Sequence, residues 1–175
     1  MKIGEKIVYP MHGAGEIVGI EDQEFGGEKK SYYVLRLPMG NLKLMLPVDK
    51  VEELGLREII GKEKISEVAE VLSGKAEKNV GSWNKRFHAN LDRMKSGDIL
   101  DVAAVARNLE KQNLKKKLAS GESRILDLAR QILVSELIFV LDKTDAEVSA
   151  WVDEQIFSKK TSKSKTEIDS EVDAE

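Results

Sequence analysis

The chain has 175 residues, 41% hydrophobic and 34% charged, with a formal net charge of -3, which suits one ordinary folded domain or two small ones and not a disordered polymer. It has no cysteine and only two histidines, His12 and His88, which removes disulfides, thiol nucleophiles and cysteine-ligated zinc and leaves little for imidazole chemistry. No apolar run approaches the roughly 18 residues of a membrane span, and the opening Met1-Lys2-Ile3-Gly4-Glu5 lacks the apolar core of a secretory signal, so a cytoplasmic protein with no membrane partner is expected.

From Met1 to Pro47 the pattern is β. Lys6–Tyr9, Gly15–Ile20, Ser31–Leu37 and Leu42–Pro47 are short runs rich in β-branched, aromatic and aliphatic residues, and glycine-containing stretches separate them. Met39-Gly40-Asn41 is short enough to be a hairpin turn joining the third and fourth runs. So few short strands cannot make a large sandwich; they predict a small twisted barrel of the SH3 or Tudor kind, with an edge strand open to a partner. Val48 to Gly61 reads as a transition of short helical turns, and the domain boundary falls between Gly55 and Gly61. The expected units are 1–57, 58–157 and a polar tail, 158–175, too hydrophilic to offset the entropy of ordering.

The rest is helical, giving an α+β chain whose second half is a compact bundle. Ile65, Val68, Ala69 and Leu72 are spaced for an amphipathic helix over 62–72. Ser82 is placed to cap a helix to about Ser96, with Phe87, Leu91 and Met94 on one face and Gly97 as its stop. Asp98 caps the next, whose Ile99, Val102, Ala103, Val105, Ala106 and Leu109 predict a broad buried stripe; the lysines from 111 to 117 read as a connection. Ser120 is expected to cap the longest helix, to about Asp142. Thr144 and Glu147 have capping-box spacing and open a last helix.

Charge is unevenly spread. Between Trp83 and Arg130 there are 11 Lys and Arg against 6 Asp and Glu, a local net of +5 in an acidic protein. A basic helical block of this kind points to a polyanion. On residues alone Trp83 has two readings: the end of a core stripe through Phe87 and Leu91, or an exposed ring among Lys85 and Arg86. Arg124 and Arg130 sit six residues apart and so on different faces, and Arg124, near the helix start, is the better phosphate contact. Lys115-Lys116-Lys117 reads as a solvated connection and Trp151 as core. His12 and His88 are too isolated for a metal site or a catalytic dyad, and Gly26-Gly27-Glu28 is a turn, since no Lys-Ser/Thr and helix start follow it.

The chain resembles the CarD/CdnL family of bacterial transcription regulators. The likeness is carried by I-G-E-K-I-V-Y-P-M-H-G-A-G at 3–15, W-N-K-R-F-H-A-N-L-D-R-M-K-S-G-D at 83–98 and S-G-E-S-R-I-L-D-L-A-R-Q-I-L-V-S-E-L at 120–137, and it covers roughly residues 2 to 157. The resemblance implies a Tudor-like domain that docks on the RNA polymerase β subunit, as the related domain of the transcription-repair coupling factor does. Lys43, Leu44 and Met45 then lie at that contact. It also implies a helical domain touching promoter DNA at the upstream edge of the melted bubble, with Trp83 as a minor-groove wedge and Lys85 and Arg86 on the backbone. Gln23 and Met45 stand where many family members carry Arg, and Ser123 where a Lys is often found, so the polymerase contact has less charge here and one phosphate contact is weakened.

The expectation is therefore a non-enzymatic, monomeric, nucleoid-associated regulator with no cofactor, no metal and no small-molecule substrate. Two rivals differ in class: an adaptor that binds polymerase without engaging DNA, and a hydrolase using paired carboxylates, for which no ligand or nucleophile set is visible.

Overall fold

A computed structural model describes residues 1–78 and 80–158. Its N-terminal part is a five-stranded antiparallel sheet in the order β4-β3-β2-β1-β5, built from β1 (Lys6–Tyr9), β2 (Gly13–Phe25), β3 (Glu28–Arg36), β4 (Lys43–Pro47) and β5 (Arg57–Glu58). Side chains alternate across the pleat. Ile7, Ile17, Leu35, Leu37 and Leu46 accordingly fill a small core, with Tyr9, Tyr33, Leu44, Leu54 and Leu56 packed on it.

β2 and β3 are longer than expected. A register shift between Ile17 and Gly19 bends β2, and beyond it the two strands pair as far as Phe25 and Glu28, past the ends of β1 and β4. This is a projecting ribbon, turned at Gly26 and Gly27 with φ of +59° and +85°. Its Glu21-Asp22-Gln23-Glu24 gave no strand signal because neither face needs to be apolar where the ribbon leaves the core. The turn at Met39-Gly40-Asn41 does join β3 to β4, with Gly40 and Asn41 both left-handed. After a 3-10 turn over Val48–Leu54, ended by left-handed Gly55, the chain returns and pairs β5 with β1. Two residues, both charged, carried no strand pattern.

Among the described residues five α-helices follow: α1 (Ile65–Ser73), α2 (Trp83–Lys95), α3 (Ile99–Lys115), α4 (Ser120–Leu141) and α5 (Asp145–Phe157). Ser82 accepts the Lys85 N–H, Asp98 accepts the Leu100 N–H, and Thr144 with Glu147 forms both halves of a capping box. Two starts and stops differ from expectation. α4 begins after Ala119, which has no side-chain acceptor to offer, so Ser120 lies inside the helix. α3 runs on through Lys111 to Lys115, because lysine is a good helix former and nothing in Lys111-Gln112-Asn113-Leu114 breaks the turn. Of the expected tail, Ser158 is described, closing α5 through a hydrogen bond to the Glu154 carbonyl; 159–175 lies outside the described residues.

α3 is the central helix of the bundle, packed on α1, α2 and α4, and α5 closes against α1 and α4. Ala103, Ala106 and Ala129 are fully buried, and their small side chains let the helix axes approach closely. Trp151 is half-buried against this core. Among the described residues no helix is long and apolar enough to cross a membrane.

The sheet is fastened to α4 by buried polar contacts. Glu136 is wholly buried; its two carboxylate oxygens accept from Arg57 Nη1 at 2.7 Å and Nη2 at 2.8 Å, and Oε1 also accepts the Ile60 N–H at 2.9 Å. Arg57 Nε donates to the Gly97 carbonyl at 2.6 Å. One guanidinium thus ties β5, the α2–α3 turn and α4 together in bidentate geometry. One residue earlier on α4, Ser135 Oγ accepts the Ala14 N–H at 2.9 Å and donates to the Ile132 carbonyl at 2.7 Å. Gly13 makes room for this: a Cβ there would lie 2.7 Å from Ser135 Oγ, and its φ is +113°.

Candidate nucleic-acid and polymerase interfaces

Trp83 is the first residue of α2 and is 42% exposed. Its ring lies nearly parallel to Phe87, centroids 5.1 Å apart at 18°, and a Cβ at Gly121 would come within 3.4 Å of its Cζ2. Neither residue-level reading of Trp83 is complete: one part of the indole leans on Phe87 and the start of α4, and the remainder faces solvent. Gly121, whose role the sequence reading missed, keeps the α4 backbone close beneath both rings.

The cations around the ring differ in freedom. Lys85 is exposed, its stem folded over Gly81. Arg86 is half-buried, with Nη1 donating to the Gly81 carbonyl at 2.9 Å and Nε buried without a hydrogen-bond partner among the described residues. Arg124 is exposed on α4, three residues and so nearly one turn from Gly121. Arg130, in contrast, is held by Glu110 at 3.2 Å and Asp153 at 2.8 Å, a structural tie among α3, α4 and α5. The helix start thus brings Trp83 together with Lys85 and Arg86, and with the face of α4 that carries Arg124.

The segment leading into Trp83 is pinned from behind by Glu77. Its carboxylate accepts from Arg93 at 2.9 Å and reaches Arg107 at 3.5 Å, and its N–H donates to Asn108 Oδ1 at 3.0 Å. The hydrogen bond from Arg93 is the main reason the Glu77 carboxyl is held below the usual carboxylate range. Arg107, 8% exposed, donates to the Val71 carbonyl, and burial lowers its pKa. Lys111 Nζ donates to the Gly74 carbonyl at 2.6 Å; burial and then the nearby Arg107 charge lower its pKa.

On the sheet, Lys43, Leu44 and Met45 lie on β4, which has a strand partner on one side only. Leu44 packs on the sheet core; Lys43, on the opposite face, is exposed and Met45 is half-buried. Leu42 and Val48 flank the strand with exposed apolar surface, 51% and 38%. Gln23 is on the projecting ribbon, paired with Lys30. Tyr9 and His12 stack at 4.1 Å with His12 Nδ1 near the Pro10 carbonyl, and His88 meets Phe87 edge-on. Among the described residues no group of three or more His, Cys, Asp or Glu is gathered to hold a metal ion.

Comparison with known proteins gives two family matches in chain order. Residues 1–60 match the CarD-like/TRCF RID domain and residues 67–153 match the CarD C-terminal domain. A Bacillus subtilis (strain 168) protein named "Putative transcription factor YdeB" is 33% identical over 150 residues, covering 86% of this chain and 98% of that one. Two solved structures from Myxococcus xanthus are also similar. CdnLNt is 48% identical over 34% of this chain and 84% of its own, with a TM-score of 0.31. The 72-residue N-terminal domain of CarD is 28% identical over 33% of this chain and 77% of its own, with a TM-score of 0.29. The chain belongs to the CarD family.

Proposed function

We propose that this chain is a transcription regulator that docks on the RNA polymerase β subunit through the β4 edge and stabilises the open promoter complex by touching the upstream edge of the melted bubble. Membership in the CarD family carries the coarser part of that statement, a regulator linked to RNA polymerase, in a family that is typically non-enzymatic. The observation that supports the finer part is Trp83: a large ring 42% exposed at a helix start, beside Lys85, Arg86 and the Arg124 face of α4. An aromatic wedge costs a few kcal/mol of unstacking per base step, least where the duplex is already opening. The cations supply affinity without sequence choice. Docking through Lys43, Leu44 and Met45, with Leu42 and Val48 alongside, raises the local concentration of the DNA-facing unit, so weak fork binding becomes effective. The units assigned to these tasks are 1–57 and 58–157, acting in the cytoplasm on the nucleoid.

The test is Trp83→Ala measured in two assays. Retention on the polymerase β subunit is expected to be unchanged, while the lifetime of the open complex falls about tenfold, on the order of one base-stacking contact. Unchanged lifetime with intact polymerase binding would leave the adaptor reading in place. Binding of the wild type to forked and fully paired duplex at two salt concentrations adds a second check: fork preference and a steep salt slope are expected.

A further inference from the structure

Behind Trp83, between the segment before α2, the last turns of α3 and the start of α4, lies a cleft of about 750 Å³. A second depression of about 440 Å³ continues it, sharing Glu77, Lys78, Arg86, Asn108, Gln112 and Glu122. The larger cleft alone has the volume of a typical small-molecule site. Six cations line it: Lys78, Arg86, Lys111, Lys115, Lys116 and Lys117. Among the described residues none of the six has a carboxylate within 4.0 Å.

The two acids in the cleft are already engaged. Glu77 is held by Arg93 and Arg107, and Glu122, 4% exposed, accepts from Gln112 at 3.1 Å. A third cleft, of about 430 Å³ beside β5, makes the contrast: it too contains a buried-side cation, Arg57, but that one is matched by Glu136. The other charges lining that cleft are Lys64, Glu58, Glu63 and Asp98, so it carries no excess of cations, whereas the cleft behind Trp83 has six cations against two acids. Its walls are not uniformly polar either, since Ala76, Trp83, Leu118 and Ala119 supply apolar surface.

We propose that this cleft binds a phosphorylated nucleoside, with the phosphates among Lys78, Lys115, Lys116 and Lys117 and the base against the Trp83 wall. Ammonium groups on flexible stems suit phosphate as point charges, and a bound polyanion relieves the mutual repulsion of the six cations. Two sources offer this chemistry: a free nucleotide, or an unpaired residue of a melted DNA strand. The cleft is a ligand site with no reaction implied, and it goes beyond the fork reading, sharing with it Trp83 and Arg86.

Titration calorimetry on the full chain at low salt separates the possibilities, using ATP, GTP, inorganic tripolyphosphate and a single-stranded hexathymidylate as probes. Binding of ATP or GTP more tightly than tripolyphosphate is expected, weakened about tenfold or more by the double variant Lys116→Glu, Lys117→Glu, as reversal of two charges near a phosphate requires. Ala76→Glu, an exposed wall position, is expected to weaken it as well with no change in melting temperature. Binding of hexathymidylate alone upholds the site and assigns its occupant to a DNA strand. Tripolyphosphate equalling ATP overturns the placement of a base on Trp83. No binding of any probe, or binding indifferent to both variants, overturns the site. Failure here leaves the open-complex assay on Trp83→Ala untouched, and failure of that assay leaves the lysine variants' effect on nucleotide untouched.

Discussion

The two ends of α4 handle charge in opposite ways. Toward its C-terminus Glu136 is sealed from water and meets Arg57 bidentately, with the Ile60 N–H as a third partner. At its N-terminus the neighbouring cleft holds six cations with no carboxylate within 4.0 Å of them among the described residues. Matched charge in a dry setting fixes geometry, because removing either member strands the other; unmatched charge at the surface adds little to folding and is available to a ligand. The first region behaves as a fastening and the second as a receptor.

That contrast breaks most visibly at Glu136→Ala, which takes the acceptor from Arg57 Nη2 and the Ile60 N–H and leaves the guanidinium charge without its carboxylate. A loss of about 3 to 5 kcal/mol is expected, and with it a fall in melting temperature of about 8 to 15 °C for a protein of this size. A loss as small as that of a surface substitution would mean the pair does not fasten the sheet to the helix. Gly13→Ala comes next, at about 2 to 3 kcal/mol, since it forces an L residue to φ +113° and drives a methyl against Ser135 Oγ. Adding Ser135→Gly is expected to recover the steric part and not the backbone part, measured as a double-mutant cycle by denaturant unfolding.

On the receptor side, Trp83→Ala is expected to cost no more than about 1.5 kcal/mol of stability, the worth of one aromatic stack, while its effect on the open complex is large. A loss as great as that at Glu136 would place the ring with the core instead. The smallest effect belongs to Glu77. Its carboxyl is held low mainly by Arg93, so its contribution to holding the segment before α2 is present above the ordinary carboxylate pKa and fades as pH falls through the depressed value. Being half exposed, it is worth no more than about 0.5 kcal/mol. Protection factors of the amides at 75–78 and 80–82, corrected for the pH dependence of intrinsic exchange, are expected to fall on acidification in the wild type and to stay level with pH in Glu77→Gln.

Much of this organisation was readable in the chain. Periodicity placed every helix, and Ser82, Asp98 and the Thr144–Glu147 pair announced three of their starts because capping is a local side-chain property. What local pattern could not supply was anything made by contacts across long separations. β5 is two charged residues that become a strand only because β1 lies beside them, and the ribbon from Ile20 to Lys30 has only two apolar side chains, Ile20 and Phe25, both exposed, and so shows no alternating pattern. The signal that was present and passed over is Glu136 in I-L-V-S-E-L-I-F-V-L: a lone acid in so apolar a run must find a cation, and that demand leads to Arg57. Within the candidate site, Trp83, Lys85 and Arg86 came from local sequence and resemblance, whereas Gly121 and Glu77 act through neighbours 34 and 16 residues away at Phe87 and Arg93 and left no local trace.

α4 is a single unbroken helix of 22 residues, and it carries the Ser135–Glu136 attachment near one end and Gly121 near the other. At 1.5 Å per residue those points stand about 21 Å apart, and each added residue also turns the far end by about 100°. The helix thus sets the distance between the sheet and the corner at Trp83, which under the proposed function is the distance between the polymerase and the promoter. Inserting one alanine in its middle would swing Arg124 and Gly121 out of phase with α2, whereas inserting seven would lengthen the span by about 10 Å and nearly restore the phase, so the reach and the facing of the Trp83 corner relative to the sheet are separately adjustable by length alone.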